Sequence, residues 1–179
     1  MMTIGHSTLD LDVFLQALRE NGCDLLVDVR SIPRSRRNPQ FAQENLPASL
    51  EAAGIGYRWM KELGGRRSTR KDSVNAAWKN ASFRGYADYM QTEAFAAAVE
   101  ELLHLPQIDR VCVMCAEAVP WRCHRSLLGD AVLARGGVVE DIFVAPNGTS
   151  HRKPHTITRF AQVDGSRVWY PAESGSLFA

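Results

Sequence analysis

The chain has 179 residues, 45% apolar and 23% charged, with a net charge of +1, the composition of a soluble globular protein large enough for one α/β domain with a real core. No run of about 18 apolar residues exists, which excludes a transmembrane helix, and MMTIGHSTLD lacks the basic and apolar regions of a signal peptide. A cytoplasmic protein with no membrane partner is therefore expected, its four cysteines reduced rather than paired.

In chain order, Thr3 and Ile4 read as a short first strand ending at Gly5-His6-Ser7. Leu11, Phe14, Leu15 and Leu18 then fall on one face of a helix, with Asp10 placed to cap it and Gly22 to end it. Leu25, Leu26, Val27 and Val29 form the near-continuous apolar run of a strand buried on both faces, ending at Asp28-Val29-Arg30. SIPRSRRNPQFA, with two prolines and three arginines, cannot be a regular helix throughout. Leu46 to Ala53 reads as a short helix closed by Gly54, Ile55 to Trp59 as a strand, and MKELGGRRSTRKDS as a glycine-rich basic loop. Phe83 to Gln91 and Ala94 to His104 read as helices broken near Thr92. Val111 to Cys115 is a second buried strand, residues 123 to 135 carry a helical pattern, and Val138 to Phe143 is a further strand. Near the end, an Asp-Gly turn in RFAQVDGSRVWYP predicts a hairpin.

Strands alternating with helices imply an α/β fold, a mainly parallel Rossmann-like sheet flanked by helices, here with a C-terminal β-hairpin. One domain is expected over 1–179, with 146–179 a hairpin-containing tail. Such sheets bind ligands beyond the carboxyl ends of their strands. That rule selects His6 and Ser7, then Asp28 and Arg30, then Cys115 and Glu117. Charge adds to this selection. From Asp28 to Arg84 there are twelve Lys or Arg against five Asp or Glu, a local basic surplus that faces either an anion or solvent.

VCVMCAEAVPWRCHRS, residues 111–126, concentrates the candidate chemistry. Cys115, Cys123 and His124 could ligate a metal with His6 as a fourth, but the spacing fits none of the common zinc patterns. Cys112 and Cys115 lie in a strand, where i and i+3 point to opposite faces. No metal and no cofactor are expected. His151 and His155, in a proline-containing loop, receive no role. As a thiol site, Cys115 ends a strand and Cys123 opens the next helix, where the helix N-terminus and nearby arginines would lower a thiol pKa. The cysteine–arginine loops of rhodaneses and phosphatases have a similar placement, loosened here because six residues, Pro120 among them, separate Cys115 from Arg122. Each cysteine can equally be a small buried apolar residue, as Cys23 and Cys112 are read. As an anion site, Arg122, His124 and Arg125 stand at a helix start, with Arg30 and Arg34 to Arg37, notably Arg34 and Arg36, approaching from the neighbouring strand.

Asp28 and Glu117 end buried strands, where an arginine must neutralise each carboxylate or it works as an acid or base. His6 is a general base or a satisfied structural histidine. Tyr57, Trp59, Tyr86, Tyr89 and Trp121, interspersed with basic residues, leave nucleobase stacking open.

TIGHS, LLVDVRSIPRSRRNPQF, YRWMKELGG, RGYADYM and CAEAVPWRCHRS, in that order, resemble the family known as domain of unknown function 488, from about Thr3 to Phe143. The resemblance implies an α/β domain. It points to His6, Ser7, Asp28, Arg30, Cys115, Glu117, Cys123, His124 and Arg125, and it brings no mechanism with it. The leading expectation is an enzyme acting on a phosphorylated small molecule, nucleotide or nucleic acid. Its catalytic candidates are Asp28, Cys115, Glu117 and His6. Its substrate-binding candidates are Ser7, Arg30, Arg34, Arg36, Arg122, Cys123, His124 and Arg125. A non-catalytic nucleic-acid or nucleotide binding module and a thiol-dependent redox or sulfur-transfer protein are the alternatives.

Overall fold

The computed structural model describes residues 1–145 and 147–172. Its centre is a six-stranded, mostly parallel sheet of β1 (Met2–Gly5), β2 (Leu25–Asp28), β3 (Gly56–Trp59), β4 (Val111–Cys115), β5 (Glu140–Val144) and β6 (Ser150–Pro154). Their order is β3-β2-β4-β1-β5-β6, and only β6 runs antiparallel, against β5. A separate hairpin pairs β7 (Gln162–Asp164) with β8 (Arg167–Trp169) around the expected Asp-Gly turn. The rest of the expected tail, residues 173–179, lies outside the described residues.

Five α-helices flank the sheet: α1 (Leu11–Glu20), α2 (Leu46–Ala52), α3 (Ala81–Tyr89), α4 (Glu93–Leu103) and α5 (Arg125–Leu133). Strand parity divides the core between them. Met2, Ile4, Leu26, Cys112 and Met114 pack with Phe14, Leu18, Leu46 and Leu50 of α1 and α2. Val27, Val111, Val113 and Cys115 face the other way, onto Tyr86, Phe95, Val99, Leu102, Leu127 and Leu128 of α3, α4 and α5. Cys112 and Cys115 therefore do point to opposite faces.

Helix ends follow local chemistry. The Asn80 side chain accepts from the Ser82 and Phe83 amides at the start of α3, and Thr92 accepts from the Phe95 amide at the start of α4. Asp10 occupies the N-cap position of α1, but its side chain makes no capping bond, contrary to expectation. His151, expected in a loop, lies in β6, whose side chains are mostly exposed and held by the backbone ladder to β5. No α-helix among the described residues is long and apolar enough to cross a membrane.

One buried polar network ties the later elements together. His155 contacts Asp141 through Nδ1 (2.8 Å) and Asp130 through Nε2 (3.2 Å). Tyr170 donates to the other Asp130 oxygen (2.8 Å), and Thr3 donates to Asp141 (2.6 Å). The network joins the sheet, α5 and the chain beyond the hairpin.

Candidate functional site

The strand order brings the three expected strand ends side by side, because β4 inserts between β2 and β1. α1 leaves β1 on one face of the sheet, while α5 leaves β4 on the other. Diverging connections of this kind open a crevice at the carboxyl ends. The alignment continues past the strands: the His6 amide donates to the Cys115 carbonyl (3.1 Å), that of Ser7 to Ala116 (2.8 Å), and that of Val29 to Met114 (3.0 Å). Gly5 has no side chain where the returning loop crosses it; a Cβ there would sit 1.8 Å from the Glu117 carbonyl oxygen. Ser7 adopts φ 47°, a left-handed conformation uncommon for a residue with a side chain and held here by these crossed hydrogen bonds.

The result is a cleft of about 540 Å³. Nine of the twelve expected residues line it: His6, Ser7, Arg30, Arg34, Cys115, Glu117, Arg122, Cys123 and His124. Arg37 and Arg66 line it as well. Arg34, Arg37, Arg66 and Arg122 are exposed, and none has a carboxylate partner among the described residues. Among the described residues, Glu117 is the one acidic residue in the wall, and it is exposed.

A family model, Domain of unknown function DUF488, matches residues 10–132. The chain belongs to the DUF488 family. No curated protein and no solved structure matches it.

Three expected residues of this DUF488 domain lie behind the cleft or beside it. Asp28 is fully buried and takes two hydrogen bonds on Oδ1 and three on Oδ2, chiefly from Arg30 (Nη2–Oδ2 2.5 Å, Nε–Oδ1 2.9 Å) and also from the Tyr57 hydroxyl (2.9 Å). It is the floor of an Asp–Arg lock, which leaves it no free edge for catalysis. Arg125, 1% exposed, turns back to donate to the Glu117 carbonyl (2.7 Å) and to Thr3 (3.2 Å), holding the loop after β4. Arg36 is exposed outside the cleft, where its neighbour Arg37 lines it instead.

His6 lines the cleft but is not free there. Nδ1 bonds the Ser7 carbonyl, which fixes the proton on that nitrogen and leaves Nε2 to accept from Arg30 at 3.4 Å. The ring also stacks on Phe41, with centroids 4.3 Å apart. Burial, with the Arg30 charge adding to it, lowers the His6 pKa to about 4. A neutral ring with both nitrogens engaged is a wall of the DUF488 cleft rather than a general base.

Cys115, Cys123 and His124 form the floor. Their ligand atoms lie within 4.8 Å of one another. His124 Nε2 donates to the Val29 carbonyl (3.1 Å), so Nδ1 carries the lone pair, 3.9 Å from Cys115 Sγ and 3.7 Å from Cys123 Sγ. Cys123 is held well below the ordinary thiol range, chiefly by a hydrogen bond from the Cys115 thiol, while the same bond and burial push Cys115 well above it. His6, expected as a fourth ligand, is not part of this group.

Several residues of the DUF488 site escaped the sequence reading. Gly65 passes over His124: a Cβ on it would meet Nδ1, Cγ and Cε1 at 2.3, 2.6 and 2.8 Å. Tyr86, expected only as a stacking aromatic, packs against the same ring, 4.9 Å between centroids, and donates to the Leu63 carbonyl. Ser31 accepts from the Arg66 amide (2.9 Å), fastening the basic loop to the end of β2. The only available signal was the glycine pair inside that loop. The expected stacking aromatics disperse: Tyr86 is buried, Tyr57 is bonded to Asp28, Trp59 donates to the Arg30 carbonyl, and Tyr89 lies under Arg67. Trp121 alone is well exposed, at 63%.

Proposed function

We propose that this DUF488 domain is an enzyme that binds a phosphate-bearing anion in the cleft and acts on it at the Cys115–Cys123–His124 floor. One observation carries the reading: Arg34, Arg37, Arg66 and Arg122 project around a single cleft, and none of them forms an ion pair among the described residues. Four unpaired guanidiniums repel one another unless a multivalent anion joins them, and their planar forks suit phosphate oxygens. Glu117 is the candidate proton carrier, since Asp28 is spent on Arg30 and His6 is neutral and engaged. The anion class spans a phosphorylated small molecule, a nucleotide or a nucleic-acid end.

The test is calorimetric titration with inorganic pyrophosphate at two salt concentrations. Binding that weakens with salt is expected, with Arg66→Ala and Arg122→Ala each costing roughly tenfold in affinity. Arg36→Ala, outside the cleft, should leave it unchanged; an equal loss in that variant would sink the reading. The binding-module alternative has exposed Trp121 beside Arg122 in its favour. Tight oligothymidylate binding with a steep salt slope, lost in Trp121→Ala, would favour the module over the enzyme.

A further inference from the structure

We propose that Cys115, Cys123 and His124 bind a divalent metal ion of the zinc type through three protein ligands, leaving one coordination position open to the cleft. The proposal adds an ion to the floor of the same cleft and does not depend on which anion the arginines hold.

The distances come first. An ion about 2.3 Å from sulfur and about 2.05 Å from an imidazole nitrogen, in tetrahedral geometry, sets nitrogen and sulfur about 3.6 Å apart. The two Nδ1–Sγ distances are 3.7 and 3.9 Å. The whole group lies within 4.8 Å, so closing onto one ion takes a contraction of about an ångström at most. Cys115 and Cys123 are free thiols rather than a disulfide.

The orientation agrees. His124 donates Nε2–H to the Val29 carbonyl, the backbone partner that commonly fixes the tautomer and ring angle of a metal-bound histidine. Nδ1 is thereby turned toward both sulfurs. The place of Gly65 matters here. Its absent Cβ would stand nearly equidistant from Nδ1, Cγ and Cε1, at 2.3, 2.6 and 2.8 Å. An approach along the lone pair would put the two carbons about 3.3 Å away by imidazole ring geometry. Gly65 therefore covers the face of the ring and leaves the in-plane lone pair free.

Charge and softness select the ion. Two thiolates and a neutral imidazole balance a divalent cation in a cleft that is otherwise strongly basic, and such donors favour zinc over magnesium or calcium. No fourth His, Cys, Asp or Glu joins the group among the described residues. All three ligands line the cleft, so the remaining position faces it, as in catalytic rather than structural zinc sites. The sequence spacing hid this because Cys115 ends a strand while Cys123 and His124 lie beyond a single 3-10 turn, Pro120–Arg122, that returns the chain to the same strand end.

The experiment loads the reduced full chain with zinc chloride, removes the excess, and measures bound zinc and its X-ray absorption spectrum. One ion per chain in a shell of two sulfurs, one imidazole and one further light atom is expected. Cobalt(II) should likewise give tetrahedral visible bands with thiolate charge transfer. Cys123→Ser and His124→Asn should lose the ion while keeping their circular dichroism, and Cys23→Ser, on the other face of the sheet, should keep it. No stoichiometric zinc in the wild-type chain, a shell without two sulfurs, or retention in Cys123→Ser would overturn the proposal. Pyrophosphate titration of the metal-free chain is read separately, so either proposal can fail alone.

Discussion

Gly65 is bare where the His124 imidazole needs room. A methyl group at that place would overlap three ring atoms, and both neighbours are fixed, the ring by Val29 and Tyr86 and the loop by Ser31. Gly65→Ala should therefore cost about 1–3 kcal/mol in urea denaturation, the usual range for overpacking, and shift the His124 imidazole resonances in NMR. A wild-type stability and unmoved resonances would show that the loop gives way freely. Arg66 and Arg67 make the complementary point. Arg67 donates inward to the Gly64 and Glu62 carbonyls and covers Tyr89 at 3.7 Å, while Arg66 faces the cleft. Sequence reading could place both in a basic loop. It could not tell which one holds the loop and which one meets a ligand, because an irregular segment has no period from which to read facing. Arg36 and Arg37 exchanged roles for the same reason.

At the scale of elements, α3 carries Tyr86 to the His124 ring and Phe83 to the cleft wall, and Asn80 sets its start. Asn80→Ala should lower stability by about 1 kcal/mol, the usual cost of a lost N-cap, as measured by denaturant midpoint. Pyrophosphate affinity should change little, since no arginine of the cleft lies on α3. A loss of binding without a loss of stability would mean that the cap works through the site. The strands were the legible part of the fold. Buried apolar runs ended β2 and β4 almost where the structure ends them, and turn residues marked the hairpin. β6 was not legible, because SHRKP has no apolar face, and its place beside β5 is set by backbone pairing. The site was legible as three strand ends and illegible as a cluster. Which ends become neighbours is decided by β4 entering between β2 and β1, a long-range choice with no local signal.

At the scale of the molecule, the His155 network makes stability depend on pH. Burial opposes the charge on His155, but hydrogen bonds to Asp130 and Asp141, and their charges, outweigh it and raise its pKa to about 9. A histidine whose folded pKa exceeds its unfolded value of about 6.5 stabilises fully below that value, and the contribution is lost as pH rises through about 9. His155→Gln should thus be less stable than wild type by on the order of a few kcal/mol at pH 6, with the gap narrowing by pH 10. A gap that stays constant in denaturation across that range would show that the charge is not what His155 contributes. The sheet also has a consequence for sulfur chemistry. It stands as a partition with Cys23 and Cys112 on the α1 side and Cys115 and Cys123 on the other, where the cleft gives access. Oxidants, alkylating drugs and metals that enter the cleft meet Cys115 and Cys123, while Cys23 and Cys112 sit in the core on the opposite face. The molecule thus keeps two separate thiol compartments a single strand's thickness apart.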